Sequence, residues 1–196
     1  ASLVGSEMCI KGRTNRLESY NIEAITHGRG IGMIKQQELY EAFLTRVEPE
    51  HRAFAAELHE LFVNNGCTVE IKPTSSGFLV SYKFASTKKA VANFVFRKSG
   101  LLLRLYADHA SRDEALLSAL SEDLLAAIRK APDCKRLTRS GACNPRCAAG
   151  YEVIIRGERF QKCRYNAFLF PICMENNPFL QSIIERELTA RTQAEA

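Results

Sequence analysis

The chain reads as an α+β fold whose helices and strands fall in separate stretches of sequence. Three observations point there. Apolar residues recur at helical spacing over residues 35–62, and at strand spacing with close turns over residues 67–106. Helical spacing returns over residues 111–128, ahead of a second strand pair and a closing helix. The expected order is an N-terminal helical pair, an antiparallel sheet of about four strands, and a second helical pair. A cysteine-containing basic loop, a β-hairpin and a C-terminal helix complete it.

Each element has its own signal. Tyr40, Phe43, Leu44 and Val47 share one face of a helix over residues 35–47. Pro49 breaks that run and suits the first turn of the next helix, whose stripe is Phe54, Leu58, Leu61 and Phe62. Asn64-Asn65-Gly66 is a helix stop. The period then drops to two. Residues 67–72 alternate weakly, Pro73 to Gly77 is a turn, and Phe78, Val80, Tyr82 and Phe84 make one buried strand face. Residues 91–97 and 101–106 are two further strands about a tight turn at Lys98-Ser99-Gly100, which favours antiparallel pairing.

Ser111-Arg-Asp-Glu114 fits a capping box, followed by Leu116, Leu117 and Leu120. Ser121 caps another helix with Leu124, Leu125 and Ile128, and Pro132 ends it. A loop runs over residues 133–150. A hairpin over 151–156 and 159–165 is expected to turn at Gly157-Glu158, with the apolar run 168–172 extending it. Asn177-Pro178 opens a last helix with Leu180, Ile183, Ile184 and Leu188 inward.

At 196 residues, with 46% apolar and 25% charged, the composition suits one globular domain. No apolar run is long enough to span a bilayer, so no membrane partner is expected. No secretory signal pattern is present, which predicts a reducing, cytoplasmic setting for the seven cysteines. The first 32 residues lack hydrophobic periodicity. Ser2 to Ile10 resembles one reading frame of a transposon-derived sequencing adapter. That resemblance implies a non-native or disordered extension over 1–32 and a domain over 33–196, and it leaves Cys9 and His27 without a role.

The functional clue is local. Residues 129–164 hold ten Lys or Arg against three acids, although the whole chain carries only +5. Cys134, Cys143, Cys147 and Cys163 lie inside that stretch. Four thiolates suit zinc, which takes soft ligands in a tetrahedron, and Cys143-Asn-Pro-Arg-Cys147 is an acceptable short pair. An iron–sulfur cluster would use four cysteines too, a redox pair would use two, and isolated buried thiols would need no ion. Cys67 and Cys173 sit in apolar stretches and are expected in the core.

Arg136, Arg139 and Arg146 in the loop, and Arg156, Arg159, Lys162 and Arg164 on the hairpin, stand near Tyr151, Phe160 and Tyr165. Cations interleaved with aromatic rings can hold phosphates and stack bases, so nucleic acid or another polyanion is the expected partner. A solvated basic face with no partner would look the same in sequence. An alternative ligand pocket would use Lys83, Asn93, Arg97, Arg104, Tyr106 and His109 on or beside the first sheet. Asp108-His109 lacks a nucleophile partner, His51 and His59 are expected to be exposed on a helix, and Gly28, Gly30 and Gly32 do not form a phosphate loop. No complete catalytic constellation or cofactor fingerprint emerges. The expected function is a non-enzymatic module with a cysteine-stapled basic loop. A domain or enzyme for small anionic ligands, and a thiol redox sensor, are the alternatives.

Overall fold

The computed structural model describes residues 30–194. The adapter-like segment and its Cys9 and His27 lie outside them. Two helices open the fold, α1 (Gly30–Arg46) and α2 (Pro49–Asn64). Four strands follow: β1 (Cys67–Thr74), β2 (Gly77–Phe84), β3 (Ala90–Arg97) and β4 (Gly100–Leu105). A 3₁₀ turn at Ala110–Arg112 leads to α3 (Glu114–Ser118) and α4 (Glu122–Lys130). After the long loop come the hairpin strands β5 (Tyr151–Ile155) and β6 (Glu158–Lys162), then β7 (Leu169–Pro171) and α5 (Asn177–Gln193). The architecture is α+β. The boundary expected at residue 33 falls inside α1.

The main sheet has five strands, not four, in the order β1-β2-β3-β4-β7, all antiparallel. The apolar run 168–172 does not extend the hairpin. It crosses over to pair with β4, through Leu102 with Pro171 and Leu103 with Phe170. Burial decides this: Phe168 and Phe170 are fully buried against the sheet, where they share the main core.

One face of the sheet carries Val80, Tyr82, Phe94, Leu103 and Leu105, all fully buried. Helices α1 and α2 cover it through aromatic rings. Phe43 of α1 stacks on Phe94 at 5.4 Å and meets Phe96 edge-on. Phe62 of α2 stacks on Tyr82 at 4.3 Å. Such pairs add about 0.5–1.5 kcal/mol each beyond the area they bury. His59, expected to be exposed, is half-buried instead. It stacks on Tyr40 at 4.0 Å and hydrogen-bonds the Tyr82 hydroxyl at 3.0 Å, and burial lowers its pKa. Helical spacing places it one turn past Ala55 and beside Phe62, where an aromatic ring pays no penalty for facing inward.

The cap of α3 differs from the capping-box expectation. Asp113 accepts the Leu116 amide at 3.1 Å, while Ser111 is buried in the 3₁₀ turn before it. A carboxylate at the helix start gains from the helix dipole as well as from the hydrogen bond.

A chain of buried charges joins α5 to the rest. Glu187 is 0% exposed, and its Oε2 accepts the backbone amides of His109 and Ala110 at 2.8 Å each. Its Oε1 accepts from Arg191 Nε at 2.8 Å. Arg191, 6% exposed, donates onward to the Tyr106 carbonyl at 3.0 Å and to Asp108 at 3.4 Å. Every charge here has an opposite charge or a backbone partner, the condition under which buried ions are tolerated. Glu187→Ala would leave Arg191 and two amides uncompensated. The expected loss is about 3–5 kcal/mol, read as a shift in the urea unfolding midpoint at unchanged slope.

Candidate thiol and cation site

The site lies where the chain leaves α4 and where it leaves β6. Asp133 forms an antiparallel bridge with Lys162. Beside it the Cys134 amide donates to the Gln161 carbonyl and the Cys163 amide to the Pro132 carbonyl, each at 2.8 Å. Cys134 is therefore opposite Gln161, and Cys163 is its diagonal neighbour on the same side. Diagonal neighbours in an antiparallel pair stand about 7–8 Å apart.

The hairpin turns one residue earlier than expected, which moves each cross-strand partner by two residues. Its two turn residues are Arg156 and Gly157, with φ of 52° and 79°, and Ile155 pairs with Glu158. Positive φ at both central residues is the turn that matches strand twist, and Gly157 accepts it without strain. Glu152 consequently faces Gln161, so Cys163 lies across from Gly150 and not from Glu152.

Gly150 is the tightest point of the site. Its amide donates to Cys134 Sγ at 3.2 Å. A Cβ there would stand 2.7 Å from Cys134 Cβ and 2.9 Å from Cys134 Sγ, and would strike the Lys162 carbonyl. Only glycine lets the end of the loop pass so close to the sulfur. Cys134 is buried, and that burial works against its thiolate. Nearby backbone amides, that of Gly150 among them, and the Arg136 charge outweigh it, so its pKa is lowered.

The outer part of the loop is held by fewer contacts. Asn144 Oδ1 accepts the Arg146 amide at 2.9 Å, and the Asn144 carbonyl accepts the Cys147 amide at 3.0 Å. This Asx-type turn folds Cys147 back toward Cys143. Arg136 donates to the Cys147 carbonyl. Burial raises the Cys147 thiol pKa, and negative charge on Cys143, Cys163 and Cys134 raises it further. Cys143 is exposed, whereas Cys147 and Cys163 are partly buried. All six described cysteines are free. Among the described residues no three His, Cys, Asp or Glu side chains stand close enough together to form a metal-binding group. Cys67 is in the core as expected, but Cys173 is only partly buried, in the turn after β7.

The cations divide into two sets. Those of the hairpin have internal partners. Arg156 donates to the carbonyls of Ser118 and Leu120 and pairs with Glu122. Arg159 pairs with Glu152, and Arg129 with Glu158. Lys162 is buried and donates to the carbonyls of Arg129 and Ala131 and to Asp133, which satisfies the C-terminal end of α4. Arg164 makes two hydrogen bonds to Asp108 and lies between the rings of Tyr106 and Tyr151, 5.5 and 5.3 Å from their centroids. Its burial opposes the charge, but the Asp108 carboxylate holds it protonated, with its pKa raised. In contrast, Lys135, Arg139 and Arg146 are exposed, and none has a side-chain hydrogen bond or ion pair among the described residues. The hairpin cations are thus structural, because acids and open helix ends lie within their reach. The loop between Cys134 and Gly150 contains no acid to neutralise its own.

The alternative pocket residues do not form one group. Ser81, Asn93, Arg104 and Leu169 lie in one row across the outer face of the sheet. Asn93, 9% exposed, donates to the Tyr106 hydroxyl at 3.4 Å, while its Oδ1 is buried without a partner. Arg104 Nε donates to the Tyr165 carbonyl at 2.8 Å. Lys83 is paired with Glu70, and Arg97 is exposed at the turn. His109 lies elsewhere, in a cleft of about 430 Å³ with Lys89, Asp108, Arg112 and Arg191. Sequence spacing could not reveal the pairing of Asp108 with Arg164, since 56 residues separate them. Gly150, immediately before a strand, was the one local sign of a close approach.

Comparison with known protein families, with curated proteins and with solved structures returned no match.

Gly150→Ala should displace the loop end from Cys134. Overpacking of this kind costs about 1–3 kcal/mol, and the expected readout is a lower melting temperature together with faster alkylation of Cys134.

Proposed function

We propose that this chain is a binding module whose loop between α4 and β5 presents cations to nucleic acid or another polyanion. The observation that carries the reading is the division of cations. Those of the hairpin are occupied inside the fold, and Lys135, Arg139 and Arg146 are not. The interface is therefore the loop, while Tyr165, 44% exposed, packs edge-on against Tyr106 with Arg104 over its ring. A polyanion drawn to three such charges releases counterions, which makes salt the discriminating variable.

The test is anisotropy of a labelled single-stranded oligonucleotide at two salt concentrations. With three phosphates neutralised, affinity should fall about twenty-fold between 50 and 200 mM salt, from a slope of about −0.7 per charge. Reversal of Lys135, Arg139 and Arg146 to Glu should abolish binding, and Arg159→Ala should change it less than about twofold because that charge is already paired. Binding that ignores salt, or that survives the triple reversal, refutes the reading.

A second reading rests on Asn93. A buried carboxamide with one polar atom unused is costly unless something completes it. A compact anion with a hydrogen-bond donor could do so, using Asn93 together with the part of the Arg104 guanidinium not bound to Tyr165. Pyrophosphate at about one hundred times its dissociation constant would then stabilise the fold by about 2.7 kcal/mol. That gain should persist in the triple loop variant and vanish in Arg104→Gln. The opposite pattern removes this reading and leaves the first untouched.

A further inference from the structure

We propose that Cys134, Cys143, Cys147 and Cys163 bind one zinc ion as four thiolate ligands, and that this ion closes the loop between α4 and β5. The inference is drawn from the sulfurs and stands whether or not the loop binds a polyanion.

Two ligands are already placed by backbone pairing. The Asp133–Lys162 bridge sets Cys134 and Cys163 on one side as diagonal neighbours, while Lys162 turns to the other side to reach the end of α4. The other two come in on a short turn. Gly150 brings the loop's C-terminal end against Cys134 Sγ, three residues past Cys147. Arg136, two residues past Cys134, takes hold of the Cys147 carbonyl from the opposite direction. The turn at Asn144 folds Cys143 toward Cys147. Thiols separated by up to 29 positions in sequence are thereby brought to the two ends of one loop and to its turn.

The surroundings suit thiolates. Cys134 Sγ receives the Gly150 amide at 3.2 Å. Asn166 Nδ2 approaches Cys163 Sγ at 3.7 Å. Amides pointed at sulfur are the outer-shell partners that orient a metal ligand and offset its charge. A zinc ion with four thiolates carries a net −2, and Arg136 donates to the Cys147 carbonyl. The ligand set also selects the ion. Residues 134–150 contain no Asp, Glu or His. Calcium and magnesium need oxygen ligands, whereas all-sulfur tetrahedra take zinc or iron.

The ion has structural work to do. Sixteen residues, 135–150, form no helix or strand, a length at which a compact domain seldom leaves a loop without a stabilising device. Zinc–sulfur bonds of about 2.3 Å require sulfurs about 3.8 Å apart. Among the described residues the four cysteines do not yet stand as a metal-binding group. Closing them asks for movement of the Cys143–Cys147 turn, the segment with the fewest anchors, and leaves Cys134 and Cys163 on the backbone pairing they already have.

The test uses the full chain, purified under reducing conditions without chelator. Elemental analysis should give about one zinc per chain. Replacement by cobalt(II) should give the intense visible bands of a tetrahedral ion and near-ultraviolet thiolate-to-cobalt charge transfer. Cys143→Ser and Cys147→Ser, on the exposed part of the loop, should fold and lose at least about tenfold in zinc affinity by chelator competition, within the range that loss of a supporting group already causes. Cys67→Ser and Cys173→Ser should keep the zinc. In the native chain, chelation should accelerate alkylation of Cys143 at least about tenfold, since a coordinated thiolate is shielded from reaction. Absence of stoichiometric metal overturns the proposal. So does iron in place of zinc, and so does zinc affinity undiminished by either loop substitution.

Discussion

The ionic chain Glu187–Arg191–Asp108–Arg164 is the constraint on which the arrangement of the functional end depends. It begins on α5, passes through the segment between β4 and α3, and ends on the residue after Cys163. Three parts of the chain far apart in sequence are locked by charges that cannot be separated without leaving one of them unpaired indoors. Arg164 occupies the last position, between two tyrosine rings, and so fixes the direction in which the backbone leaves β6. Cys163 on one side of it and Tyr165 on the other take their places from that anchor.

The same logic explains why the hairpin cations have partners within the chain. A cation is free to bind a partner only if the fold gives it nothing nearer. Arg156 meets the open carbonyls at the end of α3, and Lys162 those at the end of α4. Arg129 and Arg159 meet the two glutamates of the hairpin itself. Exposed pairs of this kind contribute little stability, on the order of 0–1 kcal/mol, but they set the local charge balance. What remains uncompensated is the acid-free loop, where the cysteines also are. Cysteines and cations share that loop, and positive side chains stabilise sulfur in its ionised form.

Much of the fold was legible in sequence. Phe43, Phe62, Tyr82 and Phe94 announce themselves through their spacing, since a helix and a strand each bury one face at a fixed period. The stops at Asn64-Asn65-Gly66 and Lys98-Ser99-Gly100 were readable because turn residues act through their own backbone freedom. Three features were misread for lack of that locality. The run 168–172 sits next to the hairpin in sequence, but its phenylalanines find more apolar surface on β4. The hairpin turn depends on which two residues accept positive φ, and Arg156 does so against its type. His59 looked like a surface residue until Tyr40 and Tyr82 closed around it.

By itself the sequence determined which residues could line a core, which stretches are helical, and that four thiols share a stretch rich in cations. These follow from local spacing and composition, which act over a few residues. Tertiary structure alone decided which cations are occupied, which thiols share a side of one backbone pairing, and which glycine must lack a side chain. Those outcomes depend on distances between residues as much as 85 positions apart, and only the packed chain sets such distances.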